Sequence, residues 1–587
     1  MARPAPVVTL MHDQNHDLLG WLERRTGVSR RAFLGAAAAT PAALFLAACT
    51  RHAERIAGHA GSSPTATLAP TPTLAPNDPL LRSQLESARA LPPQVRLRLW
   101  RGWRPDRGGE VITVPKGFDF FDGGISHSTS WGYTQDVPMV WYGPGVVRPK
   151  GRIDRPVTSA DIAPTIARMI GFHDFEPPDG EPMDEVVHGS ATPRLVVVLV
   201  WDAGGDYVLD LWPNEWPNLK ALLGRSTWFH NATVGSGPSS TAPIHATIGT
   251  GAFPRRHGIL DNFIRWPDGT LSDPWHHGPS GMLLPTLADQ YLDAMGDRVR
   301  TGGFATLAWH LGMLGRGSRT GPQHVAVLRE KGGGEGAEGI TWGLSQQTVP
   351  FYRFPDYVND LPQIDKYFHF ADLADGRKDG LWRGHDIPSL KSGFDTPARI
   401  PYQERAIEEM IRREGFGHHD RPDLLFLNYK LIDEIGHKFT ASSPEEGDCV
   451  RVQDANLPVL INFLDRQVGK GRWALLITAD HGHSANPDLS GAFRIKVNAV
   501  EKRLQHHFDH SPGAHPLIEK VRPGWTFLDR EKLAQLELFP EQLGHYLQPL
   551  TKSESSVTSL PLGHGADRVL DASFAAALLP EVVPSAR

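Results

Sequence analysis

Four short apolar runs stand out in an otherwise mixed chain: PMVWYG (138–143), LVVVLVW (Leu195–Trp201), LLFLNY (424–429) and ALLIT (474–478). None alternates with polar residues, so each predicts a strand buried on both faces, as in a parallel sheet covered by helices. Between them the apolar positions recur at helical spacing. TSADIAPTIARMIG (158–171) opens with Ser/Asp capping chemistry, carries Pro164 near its start and closes on Gly171; YQERAIEEMIRREG (402–415) is a second such segment. Strands alternating with helices predict a doubly wound α/β domain, a mostly parallel central sheet with helices on both faces, whose sites lie beyond the carboxyl ends of the strands. No repeat of solenoid length is present. KGGGEGAEG (331–339) reads as a flexible loop, because no strand feeds it and Glu335 and Glu338 would repel phosphate.

Composition narrows the function. The 587 residues carry 60 Lys and Arg against 66 Asp and Glu, a formal charge of -6, so nucleic-acid binding is disfavoured as a main role. The 27 histidines point instead to a metal enzyme. Cys49 and Cys449 are too few for a disulfide framework or a thiolate zinc site. Near the N-terminus, Arg30-Arg31 precedes an Ala-rich run interrupted by Pro41, too weak for a membrane span. The run ends in Leu46-Ala47-Ala48-Cys49 and resembles a twin-arginine export signal with a lipoprotein box, Cys49 being the lipidated residue. The expectation is an exported lipoprotein, at the cell surface or in the periplasm, with a leader over 1–49, a Pro/Thr-rich tether over 50–80 and membrane attachment through the lipid.

The candidate chemistry gathers at strand ends. Asp202 follows the run Leu195–Trp201, and Asp480-His481 follow 474–478. Asp433 and His437 stand at i, i+4 in NYKLIDEIGHK, one face of a helix. Thr241, just before Pro243 and a helical pattern, places a hydroxyl at a helix N-terminus, where amides and the dipole favour phosphoryl oxygens. Each feature alone is common in ordinary structure. Together the Asp, Thr, Asp-x3-His and Asp-His set suggests a metal-assisted site.

The stretches WDAGG, TAPIHATIGTGAFPRRHGILDN, DEIGH and ADHG, in this order, resemble the type I phosphodiesterase/nucleotide pyrophosphatase branch of the alkaline phosphatase superfamily across most of residues 194–483. The resemblance implies an alkaline-phosphatase-like fold with inserted cap segments, an insertion over about 263–400, and two zinc ions per chain. It makes Thr241 the nucleophile and a ligand of one zinc with Asp202, Asp480 and His481. It gives Asp433 and His437 to the second zinc and Asn262 to a phosphoryl oxygen, and leaves His245 and His257 structural. A phosphothreonine intermediate follows from the same likeness.

The second zinc then needs a third ligand. Residues 108–187, with GGEVITVPKG, ISHSTSWGYTQDVPMVWYGPG and DGEPMDEVV, resemble the family's carboxyl-terminal segment. The resemblance implies a circular permutation, with 81–190 a displaced carboxyl-terminal segment, 191–587 the main catalytic domain and His127 the missing ligand. His564, in LPLGHGADRVLD, competes for that role in the unpermuted order but lacks the following VP, strand and GPG. The segment 303–318 holds Trp309 and His310, suited to an uncharged or planar substrate group, with Arg316 as its one cation; this favours a phosphodiester over a monoester. A phosphomonoesterase on the same fold and a non-catalytic surface lipoprotein are the alternatives. The small-molecule phosphate ester is left unnamed and the oligomeric state unread. HHFDH (506–510) and GHH (417–419) are expected as solvated loops.

Overall fold

The computed structural model describes residues 74–122, 127–188, 191–317, 323–329, 341–484, 486–511, 513, 515–556 and 565–583. The proposed leader with Cys49, most of the tether, the 331–339 loop and His564 lie outside the described residues. The described residues fall within one compact unit.

The strands used below are β1 (Val111–Pro115), β2 (Met139–Tyr142), β3 (Gly151–Ile153), β4 (Leu195–Trp201), β5 (Thr227–Phe229), β6 (Thr301–Phe304), β7 (His324–Arg329), β8 (Trp342–Gly343), β9 (Tyr352–Arg353), β10 (Asp423–Tyr429), β11 (Trp473–Thr478), β12 (Ile518–Arg522), β13 (Trp525–Leu528) and β14 (Leu570–Ala575). The helices are α1 (Pro79–Ala90), α2 (Pro93–Gly102), α3 (Ile162–Ile170), α4 (Thr241–Thr250), α5 (Arg399–Glu414), α6 (Leu431–Phe439), α7 (Pro444–Leu464) and α8 (Val497–Phe508).

A ten-stranded sheet runs β8-β7-β6-β10-β4-β11-β2-β5-β3, with β9 beside β7. Its centre is parallel: β10 and β11 flank β4 in register, Leu195 facing Asp423 on one side and Trp473 on the other. Successive β4 side chains leave on opposite faces, as the strand period requires. Leu195, Val197, Leu199 and Trp201 join a core with Tyr402, Ile407 and Met410 of α5 and Leu457 and Leu460 of α7. Val196, Val198 and Val200 join another with Ile162, Ile166 and Met169 of α3 and Ile244 and Ile248 of α4. Helices therefore cover both faces, and the unbroken apolar runs follow from that double burial.

Both helices read from sequence form. Thr158 and Asp161 make the capping box before α3, and Gly171 closes it in the left-handed conformation at φ 71°. Helix α5 ends on Gly415 at φ 68°.

Three expectations change. PMVWYG lies antiparallel to both β11 and β5 rather than parallel. A continuous apolar run reports burial on both faces, which an antiparallel strand inside a covered sheet shares. The stretch 263–400, expected as an insertion, contributes β6 to β9 to the main sheet. Strand β6 contains Gly302 and Gly303, and β8 and β9 have two residues each, so no apolar run announces these three, whereas β7 contains the apolar run Val325–Leu328. His506 to Phe508 finish α8 instead of forming a loop, and His507 stacks on Tyr546 at 4.1 Å. The other cluster is non-helical: His418 is exposed, and His419 Nδ1 lies 2.9 Å from Asp423 Oδ2.

A smaller antiparallel sheet, β12-β13-β1-β14, unites the two ends of the described chain. Leu81, Leu85 and Leu99 from α1 and α2 pack on its Ile112, Trp525 and Phe574. Helix α1 starts at Pro79, so the folded unit begins inside the stretch read as tether.

Candidate active site

The register of the central strands gathers the site. Trp201 of β4 lies opposite Tyr429 of β10, and Val200 opposite Thr478 of β11, so Asp202, Lys430 and Asp480 emerge together at the carboxyl ends of the central strands. Thr241 is the first residue of α4, and its Oγ1 lies 3.4 Å from His481 Nε2. Asn262 Oδ1 accepts the Ala242 amide at 2.9 Å, which leaves the Asn262 amino group as a donor beside the helix N-terminus.

Among the described residues ligand-type atoms form four overlapping groups, His127/Asp433/His481, Asp202/His245/His310, Asp433/His437/His483 and Asp202/Asp480/His481, and the sequence-derived ligands lie around two centres. In the first, Asp202, Asp480 and His481 offer atoms within 4.8 Å of one another. His481 Nε2 stands 3.2 Å from Asp480 Oδ2 and 3.8 Å from Asp202 Oδ1. Its Nδ1 donates to the Gly482 carbonyl at 2.9 Å, leaving Nε2 as the coordinating nitrogen. In the second, Asp433 Oδ1 is approached by His437 Nε2 at 3.3 Å and His127 Nε2 at 3.5 Å. His127 Nδ1 donates to the Ser239 carbonyl at 2.9 Å, which again frees Nε2. The His127 and His481 rings stack at 3.5 Å, so the two groups touch.

Every sequence-derived ligand within the described residues is therefore gathered here, His127 included. His245 does more than fill space. Asn428 Nδ2 donates to its Nε2 at 3.0 Å, and its Nδ1 donates to the Thr241 carbonyl at 2.8 Å, bracing the backbone of the threonine. His257 is structural: it accepts the Ile259 amide at 3.2 Å and lies 3.1 Å from Thr247 Oγ1.

The substrate role expected of His310 needs correction. Both His310 nitrogens are engaged by protein, Nδ1 with the Leu307 backbone and Nε2 with Asp202 Oδ2 at 3.1 Å, so this buried ring orients the carboxylate. Trp309 gives its indole N–H to Asp273. The Arg316 side chain is exposed.

Two site residues escaped the sequence reading. Lys430, one position beyond β10, donates to Asp202 Oδ1 at 3.0 Å and to Asp433 Oδ2 at 2.6 Å. His483, fully buried, groups with Asp433 and His437, and neither of its ring nitrogens has a hydrogen-bond partner. A lysine after a strand and a second histidine in ADHGH carry no signal without their neighbours in space.

Charge dominates the electrostatics. Burial would lower the Lys430 pKa, but Asp202 and then Asp433 carry it above the ordinary lysine value. Burial would raise that of Asp433, yet Lys430 and His437 hold it well below the usual carboxylate range. His481 is opposed by burial and raised by Asp480, and then by Asp202 and Asp433, to about 9. His127 is pushed well below 6.5 by burial and by His481. The cluster thus attracts positive charge, and Asp433 Oδ1, Asp480 Oδ2 and His437 Nδ1 are buried without hydrogen-bond partners. Carboxylate oxygens and imidazole nitrogens without thiolate fit a divalent cation of the zinc type.

A sequence profile of the type I phosphodiesterase / nucleotide pyrophosphatase family matches residues 196–561. Over 385 residues the chain is 25% identical to a protein of Myroides odoratus named calcium-transporting ATPase, covering 56% of this chain and 68% of that protein. Over 413 residues it is 24% identical to alkaline phosphatase PafA of Elizabethkingia meningoseptica, covering 62% and 74%. A crystal structure of a PafA variant is similar at a TM-score of 0.46 and 19% identity, over 66% of this chain and 86% of that one. With a match over most of its length and the strand-end cluster in place, the chain belongs to the type I phosphodiesterase/nucleotide pyrophosphatase family, within the alkaline phosphatase superfamily, and is a phosphoester hydrolase.

Proposed function

We propose that the protein is a zinc-dependent phosphodiesterase that works through a covalent phosphothreonine on Thr241. The observation that carries this reading is the Thr241 hydroxyl at the N-terminus of α4, 3.4 Å from His481 within a buried carboxylate and imidazole cluster. Asp202, Asp480, His481 and Thr241 would hold one zinc ion, and Asp433, His437 and His127 a second. When bound, such ions act as Lewis acids and lower the pKa of hydroxyl and water oxygens.

The chain's own residues do the rest. Thr241 Oγ forms a bond to phosphorus as the bond to the leaving alcohol breaks, and the alcohol departs with a proton. Water then cleaves the threonine ester, and the hydroxyl regains its proton. The amino group of Asn262 and the Thr241 amide at the start of α4 donate to the phosphoryl oxygens as charge develops. His245, bonded to the Thr241 carbonyl, keeps the hydroxyl in place. We also read residues 81–190 as a permuted carboxyl-terminal segment, a reading supported by β2 inside the main sheet and by His127 beside Asp433.

Diester preference follows from the cations at hand. Lys430 is already shared between Asp202 and Asp433, and Arg316 is exposed, so little positive charge is left for a dianionic monoester. The names of the alkaline phosphatase relatives favour a monoesterase as the second reading. An aryl phosphodiester and the matching monoester separate them: at saturating zinc, kcat/KM should favour the diester by about tenfold or more. A monoester that wins by a similar factor would move the assignment to phosphomonoesterase.

A further inference from the structure

The two candidate ion groups share one lysine. Lys430 is 4% exposed, and its ammonium takes one oxygen from each group, Asp202 Oδ1 at 3.0 Å and Asp433 Oδ2 at 2.6 Å. The other Asp202 oxygen is held by Asn428 Nδ2 at 2.9 Å and His310 Nε2 at 3.1 Å. Protein donors therefore meet both Asp202 oxygens, whereas Asp433 Oδ1 has no hydrogen-bond partner. Three carboxylates are buried together at Asp202, Asp433 and Asp480, a charge that folding could not tolerate unpaired. The lysine sits where its single positive charge is shared between two of them. Its backbone is fixed on both sides, since Tyr429 is the last residue of β10 and Leu431 the first of α6.

We propose that Lys430 is a built-in counter-ion of the metal cluster: with no metal bound it helps to hold Asp202 and Asp433 charged and in place, and it competes with zinc for them. The proposal rests on the reading that this cluster binds zinc. It makes Lys430 a positioning residue, with two separable consequences. Without added metal, the folded site survives because the ammonium already pairs the carboxylates. With metal, two kinds of cation contend for the same oxygens, so zinc is held less tightly than the ligand count alone would give.

The test uses the full chain as wild type, Lys430→Met and Lys430→Arg, each chelator-stripped and zinc-loaded. Stripped Lys430→Met should melt at least about 5 °C below stripped wild type, because two buried carboxylates lose their partner. Zinc loading should close most of that gap. Calorimetric titration should show Lys430→Met binding zinc at least about tenfold more tightly than wild type, while Lys430→Arg, which keeps the charge, stays near wild type. Should the stripped Met variant fail to fold, the loaded proteins are challenged with a graded chelator series, and the variant should retain zinc to at least about tenfold higher chelator concentration. Equal or weaker zinc binding by Lys430→Met overturns the competition, and an unchanged stripped melting temperature overturns the counter-ion role. A wild type that binds no zinc under any condition sinks the zinc reading and the competition with it, whereas a zinc-binding wild type matched by Lys430→Met sinks the lysine proposal alone.

Discussion

His127 and His437 converge on one oxygen, Asp433 Oδ1, from positions more than three hundred residues apart in the chain. What separates His127 from a buried spectator is its far side: Nδ1 is committed to the Ser239 carbonyl, so Nε2 carries the lone pair toward Asp433. His483 lies in the same pocket with neither nitrogen committed. His127→Ala should therefore release about one zinc per chain and lower kcat/KM by about a hundredfold or more, while His483→Ala should keep both ions. Metal analysis of the two purified variants decides it, and zinc lost from His483→Ala but retained by His127→Ala would transfer the ligand role. At this scale the acids were legible because each stands just past an apolar strand, and Thr241 because Pro243 marks a helix start. Lys430 was not, since a lysine at a strand end usually extends into solvent. Only the fold reveals that Asp202 faces it.

Helix α5 shows how an element supports the site without entering it. Glu404 on this helix is 3% exposed and accepts hydrogen bonds from the Tyr429 hydroxyl, at the end of β10, and from Asn456 Nδ2 of α7 at 2.9 Å. Burial pushes its carboxyl up to about 7. The native state thus holds a proton that the unfolded chain, with a glutamate pKa of about 4.3, gives up sooner. The stabilisation is complete below the unfolded pKa and is lost as pH rises through about 7. Glu404→Gln removes that dependence. Between about pH 4.5 and pH 7 the melting temperature of wild type should fall by roughly 2 °C or more relative to Glu404→Gln. A difference that stays constant across the range would mean that Glu404 is ionised throughout. The helices themselves were readable from their caps and closing glycines. Strand β6 was hidden by Gly302-Gly303 and strands β8 and β9 by their shortness, and the direction of β2 is not encoded in an apolar run at all.

Across the whole molecule, early and late parts of the chain are built into one body. Strand β2 lies inside the main sheet between β11 and β5, and β1 lies between β13 and β14 in the smaller sheet. The family profile begins at residue 196, yet His127 stands beside Asp433. The doubly wound sheet, its helices on both faces and the strand-end position of the cluster could all be inferred from apolar runs and caps, because burial on both faces writes itself into sequence. The third histidine could be placed only by resemblance, since nothing local to ISHSTSW records what it meets. The central claim is that this cluster turns over phosphate esters through the hydroxyl of Thr241. The measurement that tests it most directly is kcat/KM for an aryl phosphodiester in zinc-loaded wild type and Thr241→Ala, with the zinc content of both. The variant should lose about a thousandfold or more while keeping its metal, because Asp202, Asp480 and His481 remain. Turnover by Thr241→Ala within about threefold of wild type would show that the hydroxyl is not the nucleophile.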